Sequence, residues 1–369
     1  MVLSCALVWA GFLALHLALN GRWWPWLAVS LIPPVTFAAV PLAVLACAAA
    51  TGGRGAAALA AGCLLAGWSQ NGVNTRALLP GADRADRADR ADRADRADHA
   101  DLSGRTDHTD LGGRPGRARA GDGGPRLVSW NTQHWNQGGD PDRFYAFLRG
   151  LTADVYVLQE YLNGFEGGEV WDIDDEERLR ASFPGHHLAV GNNSVTLSRF
   201  PSAGPPTPVG ACSLRVDLRI GDGILSTYNV HIPVQLTVMN PLRPAFLRDM
   251  RRRAAARDRE YAALVADLRG NPHPVVVTGD FNTSAAIGDI RRMPPSLRDA
   301  IGACHSVLPA SWNARARLRL WRIDWAFTGG GARVGSYRFR DAQGLSDHLV
   351  QELTLTVPRE NHRREKGIN

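Results

Sequence analysis

Read for its hydrophobic and polar positions, the chain changes character twice. Positions 2–19 are apolar apart from Ser4 and His16, a run long enough to cross a bilayer. "RWWPW" (22–26) follows, an arginine and three tryptophans, the composition of a membrane–water interface. A second apolar run covers 27–50 and carries Pro33, Pro34 and Pro41, so its helix is expected to bend. "TGGRG" (51–55) predicts a turn, and a shorter third run covers 56–73. A cleaved signal peptide would account for the first run alone, and no basic segment stands before it. The pattern therefore predicts a three-helix transmembrane anchor over 1–78. An odd number of crossings puts the two chain ends on opposite sides. With Arg54 set against Arg22 and Arg76, the expectation is a multi-pass protein of the cell membrane whose C-terminal domain is extracytoplasmic.

The second change comes at 79–125. Ala-Asp-Arg repeats from 82 and decays into Gly-rich polar sequence with no apolar face to bury, which predicts a disordered linker. As a coil of roughly 45 residues it would reach about 35–40 Å. From Arg126 to 369 the periods are those of a globular domain. "RLVSW" (126–130) and "DVYVLQE" (154–160) read as buried strands. "HLAVG", "SVTLS", "PVVVTGD", "LRLWRIDWAF" and "LVQELTLTV" add further strands, and 213–231 reads as a hairpin. Phe144, Phe147, Leu148 and Leu151 form a helical stripe, and 245–268 is a long arginine-rich helix. Within it, "RDMRRRAAARDRE" (248–260) could bind nucleic-acid phosphate or anionic lipid headgroups, but reads first as a solvated face, with Asp249, Asp258 and Glu260 as counter-charges. Many strands with few helices between them predict a mixed α/β sandwich over a doubly wound sheet.

The strands share a habit at their ends. Asn131 follows "LVSW", Glu160 follows "VYVLQ", His231 follows "LSTYNV", and Asp280 and Asn282 follow "VVVTG". Asp324 stands in "WRIDWAF", and Asp347 and His348 in "LSDHLV". Read as C-terminal strand edges lying side by side, these would bring carboxylates, amides and imidazoles into one pocket. Carboxylate and amide oxygens are hard ligands that suit Mg²⁺, Mn²⁺ or Ca²⁺ better than zinc. The histidines then fit acid–base work or stabilisation of a charged phosphoryl group.

"SWNTQ", "VLQE", "NVHIP", "GDFN", "RIDWAF" and "LSDH" stand in an order and spacing that resemble the endonuclease/exonuclease/phosphatase superfamily, over about residues 126–357. That is the family of DNase I, the AP endonucleases, the neutral sphingomyelinases and the inositol polyphosphate 5-phosphatases. The resemblance implies an α+β, DNase I-like four-layer sandwich, two packed β-sheets flanked by helices, here preceded by transmembrane α-helices like those of some bacterial members. It implies Glu160 as principal Mg²⁺ ligand, with Asn131 and Asp347 beside it. By the same resemblance Asp280 orients or deprotonates the attacking water, and Asn282 bonds water or phosphate. His348 stabilises the pentacovalent centre with Asp324 as its partner, and His231 protonates the leaving oxygen. Asn193, in "GNNSVTLSRFP", and Trp312, in "SWNAR", are candidates for touching substrate. The AP-endonuclease branch usually lacks a histidine at the position of His231, which points toward the DNase I and sphingomyelinase branches.

Charge and cysteine change this picture little. The net charge is +6 with Lys366 the sole lysine, which suits a phosphate-bearing partner without establishing one. Cys212 and Cys304, the two cysteines of the globular part, could pair outside the cytoplasm or remain thiols. The expected function is hydrolysis of phosphodiester bonds, nuclease-like, by in-line attack of water with Mg²⁺ (or Mn²⁺, with Ca²⁺ as a further candidate). A lipid-headgroup or inositol-phosphate phosphoesterase is the alternative, and a non-catalytic binding domain on the same fold a third reading. The expected partners are a phosphodiester or phosphomonoester substrate, nucleic acid or lipid headgroup, and the bilayer around the N-terminal helices. No protein partner is inferred.

Overall fold

The computed structural model describes residues 1–78, 124–135, 140–164, 170–237 and 240–358. The Ala-Asp-Arg repeat lies outside the described residues. The first sheet has the order β13 (Arg333–Arg340), β14 (Val350–Thr356), β1 (Arg126–Asn131), β2 (Val155–Gln159), β6 (Ser194–Ser198), β5 (His187–Gly191). The second runs β11 (Arg298–Asp299), β12 (Asp324–Gly329), β10 (Val275–Asp280), β9 (Gly223–His231), β8 (Ser213–Ile220), β7 (Thr207–Val209). A small pair, β3 (Asn163–Gly164) and β4 (Val170–Trp171), stands apart.

The layers follow from which faces are apolar. Between the sheets Leu127, Val155 and Val157 pack with Leu214, Val216, Leu225, Val276 and Ala326. Outside the first sheet lie the helices Pro141–Gly150 and Glu176–Ser182, contributing Phe144, Phe147, Leu148, Leu179 and Phe183. The first of these starts on an Asp140 cap, whose carboxylate accepts the Arg143 N–H at 3.0 Å, with proline in the first turn. Outside the second sheet lies Pro244–Gly270, contributing Tyr261 and Leu264. This is the four-layer sandwich the motifs imply. Cys212 and Cys304 are both free thiols.

One expectation about strand ends is corrected. β1 and β2 run parallel, as do β9 and β10, so Asn131, Glu160, His231 and Asp280 do sit at or just past C-terminal ends. Asp324 instead opens β12, and Asp347 and His348 precede β14. Both strands run antiparallel to their neighbours, β12 pairing Asp324 with Asp280 and β14 lying against β1, so their starts reach the same end of the sandwich.

The N-terminal region is also reshaped. Among the described residues α1 (Val2–Leu19) is the one helix long and apolar enough to cross a membrane. The second run is broken at Ile32-Pro33-Pro34, where two residues without N–H groups end the helical ladder, leaving α2 (Trp26–Val29) and α3 (Thr36–Thr51). The third gives α4 (Arg54–Ala66). At 16 and 13 residues α3 and α4 are about 24 and 20 Å long, short of a hydrocarbon core of about 30 Å. We number the helices of the globular part α5 (Pro141–Gly150), α6 (Glu176–Ser182) and α7 (Pro244–Gly270).

Small side chains, Ala6, Ala48, Ala56 and Ala60 with Val44, form the seam between α1, α3 and α4. Leu3, Leu7, Val8, Leu15, Leu42 and Leu65 turn outward with half or more of their surface exposed. The cluster is docked on the sandwich. Asn20, 3% exposed, accepts the Gly288 N–H at 2.7 Å and the Ser30 hydroxyl at 3.0 Å, and donates to the Ala286 carbonyl at 2.8 Å. Asn74 donates to the Cys304 carbonyl at 2.7 Å, and the Trp321 indole to the Leu31 carbonyl at 3.0 Å. Gly21 and Gly288 meet backbone to backbone, and a Cβ on Gly288 would stand 2.6 Å from the Asn20 oxygen.

Candidate active site

At the common end of the sheets the predicted polar groups meet. Asp280 and Asp324, each 1% exposed, and His348, 6% exposed, form the floor. Glu160, His231 and Asp347 are partly open to solvent around them. The Asn131 amide donates to Glu160 Oε1 and to Asp280 Oδ2, both at 3.0 Å, and its own oxygen accepts the Gln133 N–H at 2.9 Å. In this arrangement Asn131 turns its N–H₂, not its carbonyl oxygen, toward the carboxylates. His231 Nε2 lies 3.6 Å from Glu160 Oε1 and 3.8 Å from Asp280 Oδ2. His348 Nδ1 faces both Asp324 oxygens at 3.0 and 3.2 Å, and its Nε2 stands 3.8 Å from Asp280 and 3.9 Å from Asp347. Asn282 donates its backbone N–H to Asp280 Oδ1 at 2.7 Å and its amide to Asp280 Oδ2 at 2.9 Å.

Backbone conformation does much of the aiming. Gly279 holds φ +142°, and a Cβ there would lie 2.0 Å from the Val230 carbonyl oxygen. The glycine before Asp280 is therefore a steric requirement of the β9–β10 pairing. Gln133, His134, Glu160, Asn193 and Asn282 all hold φ between +45° and +63°, unusual for residues with side chains and clustered at this one end. Asn193 is exposed in the β5–β6 turn, where its carbonyl accepts the Tyr161 N–H at 2.8 Å and so holds the turn against the Glu160 strand end. Trp312 is half-buried and donates its indole N–H to Asp347 Oδ2 at 2.9 Å.

Two residues to which the sequence reading gives no role are Gln133, the last of "SWNTQ", and His134, which follows it. The His134 N–H donates to Glu160 Oε2 at 2.8 Å, with its ring Nε2 3.7 Å away. Gln133 Oε1 accepts from the Asp347 N–H at 3.0 Å and from Arg315 at 2.8 Å. Their one signal is position, two and three residues past the Asn131 strand end.

The charges are strongly coupled. Burial raises the Asp280 carboxyl to about 6, with Asp324 adding to the rise and the histidines opposing it. Burial alone would lower His348, but Asp324, Asp280 and Asp347 outweigh it and hold the imidazole up to about 10. Burial would raise Glu160, and His231, Asn131 and His134 more than reverse it, leaving it below the usual carboxylate value. Ligating atoms of Asp280, Asp324 and His348 lie within 4.8 Å of one another. With Glu160 and Asp347 alongside, acidic groups outnumber the imidazoles, and a divalent cation fits that balance and its oxygen donors.

A sandwich of two mixed sheets carrying this acid–histidine pocket at one end is the architecture of a phosphoester hydrolase. The model of the endonuclease/exonuclease/phosphatase family matches residues 128–348, and the chain belongs to that family. Its members generally depend on a divalent metal. No curated protein matches the chain. Similar solved structures include an endonuclease/exonuclease/phosphatase from Beutenbergia cavernae, at 18% identity over 63% of this chain and 71% of that one, TM-score 0.45. One from Bacteroides vulgatus has 16% identity over 63% and 99%, TM-score 0.47. Sphingomyelinase C from Streptomyces griseocarneus has 16% identity over 62% and 98%, TM-score 0.43.

Proposed function

We propose that the protein hydrolyses phosphodiester bonds by in-line attack of water, held at a membrane by its N-terminal helices. The observation that carries this reading is the meeting of Glu160, Asp280, His231 and the Asp324–His348 pair at one end of both sheets. Asp280 receives the proton of the attacking water. Its value of about 6 leaves it mostly ionised at neutral pH yet basic enough to act. Asn282 fixes its two oxygens. His348, kept cationic by Asp324, stabilises the charge that builds on the phosphoryl oxygens. His231, at the open side of Glu160 and Asp280, gives a proton to the leaving oxygen. Glu160 and Asp347, with Asn131 beside them, are the residues that would hold Mg²⁺ or Mn²⁺, which when bound supplies Lewis-acid charge at the phosphoryl and leaving oxygens. Asn193, beside the Glu160 strand end, and Trp312, bonded to Asp347, are in this reading the residues that touch the substrate.

The test is full-length protein in detergent with Mg²⁺, offered DNA, RNA, sphingomyelin and bis(p-nitrophenyl) phosphate. We expect cleavage, and a loss of 10²-fold or more, order of magnitude, in Asp280→Asn and His348→Ala. Inertness toward every substrate sinks the reading.

One observation favours a lipid-headgroup phosphoester as a second reading. The 20–35 segment packs on α7 and on the loops that follow β9 and β10, with Leu27 and Leu31 against Met250 of the helix and Leu236 and Ile287 of the loops. In the same screen, cleavage of sphingomyelin without cleavage of DNA decides for it.

A further inference from the structure

A cleft of about 330 Å³ lies where α1 leaves the helical cluster and meets the sandwich, lined among others by Leu17, Arg22, Ser69, Gln70, Arg291 and Arg292. It is separate from the candidate active site, none of whose residues line it. Its charge is one-sided. Arg292 is paired with Asp258 at 2.6 Å and faces Asp289 at 3.8 Å. Among the described residues the Arg22 side chain reaches only the Ala18 carbonyl, at 3.4 Å. Arg291 donates to the Asn20 carbonyl at 3.0 Å and to Gln70 at 3.3 Å. Among the described residues neither Arg22 nor Arg291 is in an ion pair. Burial, and after it the Arg22 charge, pull Arg291 below its ordinary value, with Asp289 opposing. An anion between the two guanidinium groups relieves that repulsion, and the planar forks suit phosphate oxygens.

The surroundings say which phosphate. Leu17 is exposed at the cleft edge, and below it the outward face of α1 carries Leu3, Leu7, Val8 and Leu15. Trp23 and Trp68, about half exposed, stand one residue from Arg22 and Ser69 of the cleft. Acyl chains along α1, tryptophans at headgroup level and arginines just above are the order in which a bilayer presents itself.

We propose that this cleft binds the phosphate of an anionic phospholipid headgroup, with Arg22 and Arg291 as its ligands and the lipid chains lying along α1. The proposal rests on the reading that α1 lies in a bilayer. It does not depend on what the active site cleaves.

The test uses full-length protein in nanodiscs of phosphatidylcholine with a minor fraction of phosphatidylglycerol, with retained lipid counted by native mass spectrometry. Wild-type protein is expected to enrich phosphatidylglycerol over its bulk fraction. Arg22→Gln is expected to cut that enrichment about five-fold, the loss of one arginine at a membrane surface. Among the described residues the Arg22 side chain makes one long bond, to the last turn of α1, so this variant keeps the fold, which a thermal melt checks. Arg333→Gln, at the exposed opposite end of the first sheet, is expected to match wild type. Lipid retained in its bulk ratio, or wild-type enrichment in Arg22→Gln, overturns the proposal. Lipid retained only in its bulk ratio, together with inorganic phosphate binding that Arg22→Gln removes, overturns it too, assigning the cleft to free phosphate. Failure of the protein to enter nanodiscs removes the bilayer reading and the cleft assignment together, whereas an inert active site leaves both standing.

Discussion

His348 is defined by what surrounds it. Three carboxylates hold its imidazole up to about 10 against the opposing effect of burial, and Asp324 is the strongest of them. A group raised in the folded state stabilises fully below its unfolded value of about 6.5, and that contribution is lost as pH rises through about 10. The charge available to a phosphoryl group follows the same limb. Asp324→Asn is therefore expected to move the alkaline fall in kcat to lower pH by more than a unit, measured as a pH–rate profile. An unmoved limb would assign the fall to another group. The residue types at this site were legible because they interrupt apolar strands, and Asp280 or Glu160 at such a place has no role in a core. The orientation of Asn131 was not legible, since it depends on the Gln133 N–H folding back onto its oxygen. His134, a histidine in a loop, carries no periodic signal.

At the scale of elements, two features decide more than propensity does. The first is Gly279, whose missing Cβ lets β10 pass the Val230 carbonyl and still deliver Asp280 to the floor. Gly279→Ala is expected to destabilise by more than about 1 kcal/mol, seen by chemical denaturation, and to lower activity further than stability alone explains. The second is α7, whose charged residues were expected to face solvent. Arg257 is 1% exposed and binds Asp289 at 3.0 Å and Thr283 at 2.6 Å, while Glu260 accepts the Ala211 and Cys212 N–H groups at 3.0 Å. The helical period already held this information. Arg257 falls seven residues after Met250 and seven before Leu264, on the buried stripe, so a charge there needed partners from another element. Arg257→Ala leaves buried Asp289 with only the longer 3.8 Å approach of Arg292, and we expect a loss of about 3 kcal/mol. Adding Asp289→Ala is expected to return part of it, the coupling being read from the double-mutant cycle.

Across the whole molecule, the sandwich and its site were legible from motif order, while the relation of the helices to the sandwich was not. The sequence suggested a spacer joining two independent parts. The structure instead docks α1, α3 and α4 on the globular domain through Asn20, Gln70, Asn74 and Trp321. Polar residues embedded in apolar runs were the available clue, because such groups need partners when buried. A variant beginning at residue 124 is accordingly expected to melt lower than the full chain and to aggregate through Leu236, Phe246 and Ile287, which α2 and its flanks cover. Light scattering and calorimetry in matched detergent would show it, and an unchanged melting temperature would mean that the docking contributes no stability. At this scale too, chelation is expected to abolish activity and added Mg²⁺ or Mn²⁺ to restore it, followed by rate and by melting temperature together.

The bond between Asn20 and Gly288 joins positions 268 apart in the chain. On the ribosome, at about 5–20 residues per second, the first partner is made tens of seconds before the second. Throughout that interval Asn20 and Gln70, at the end of newly made apolar helices, lack their partners Ala286, Gly288 and Arg291. They are masked only when the late-made half of the enzyme has folded correctly. A chain whose catalytic half fails thus keeps a polar flag at its amino-terminal end, and a pulse-chase of Gly288→Ala, expected to shorten the half-life of newly made chains, would show whether surveillance proteases read it.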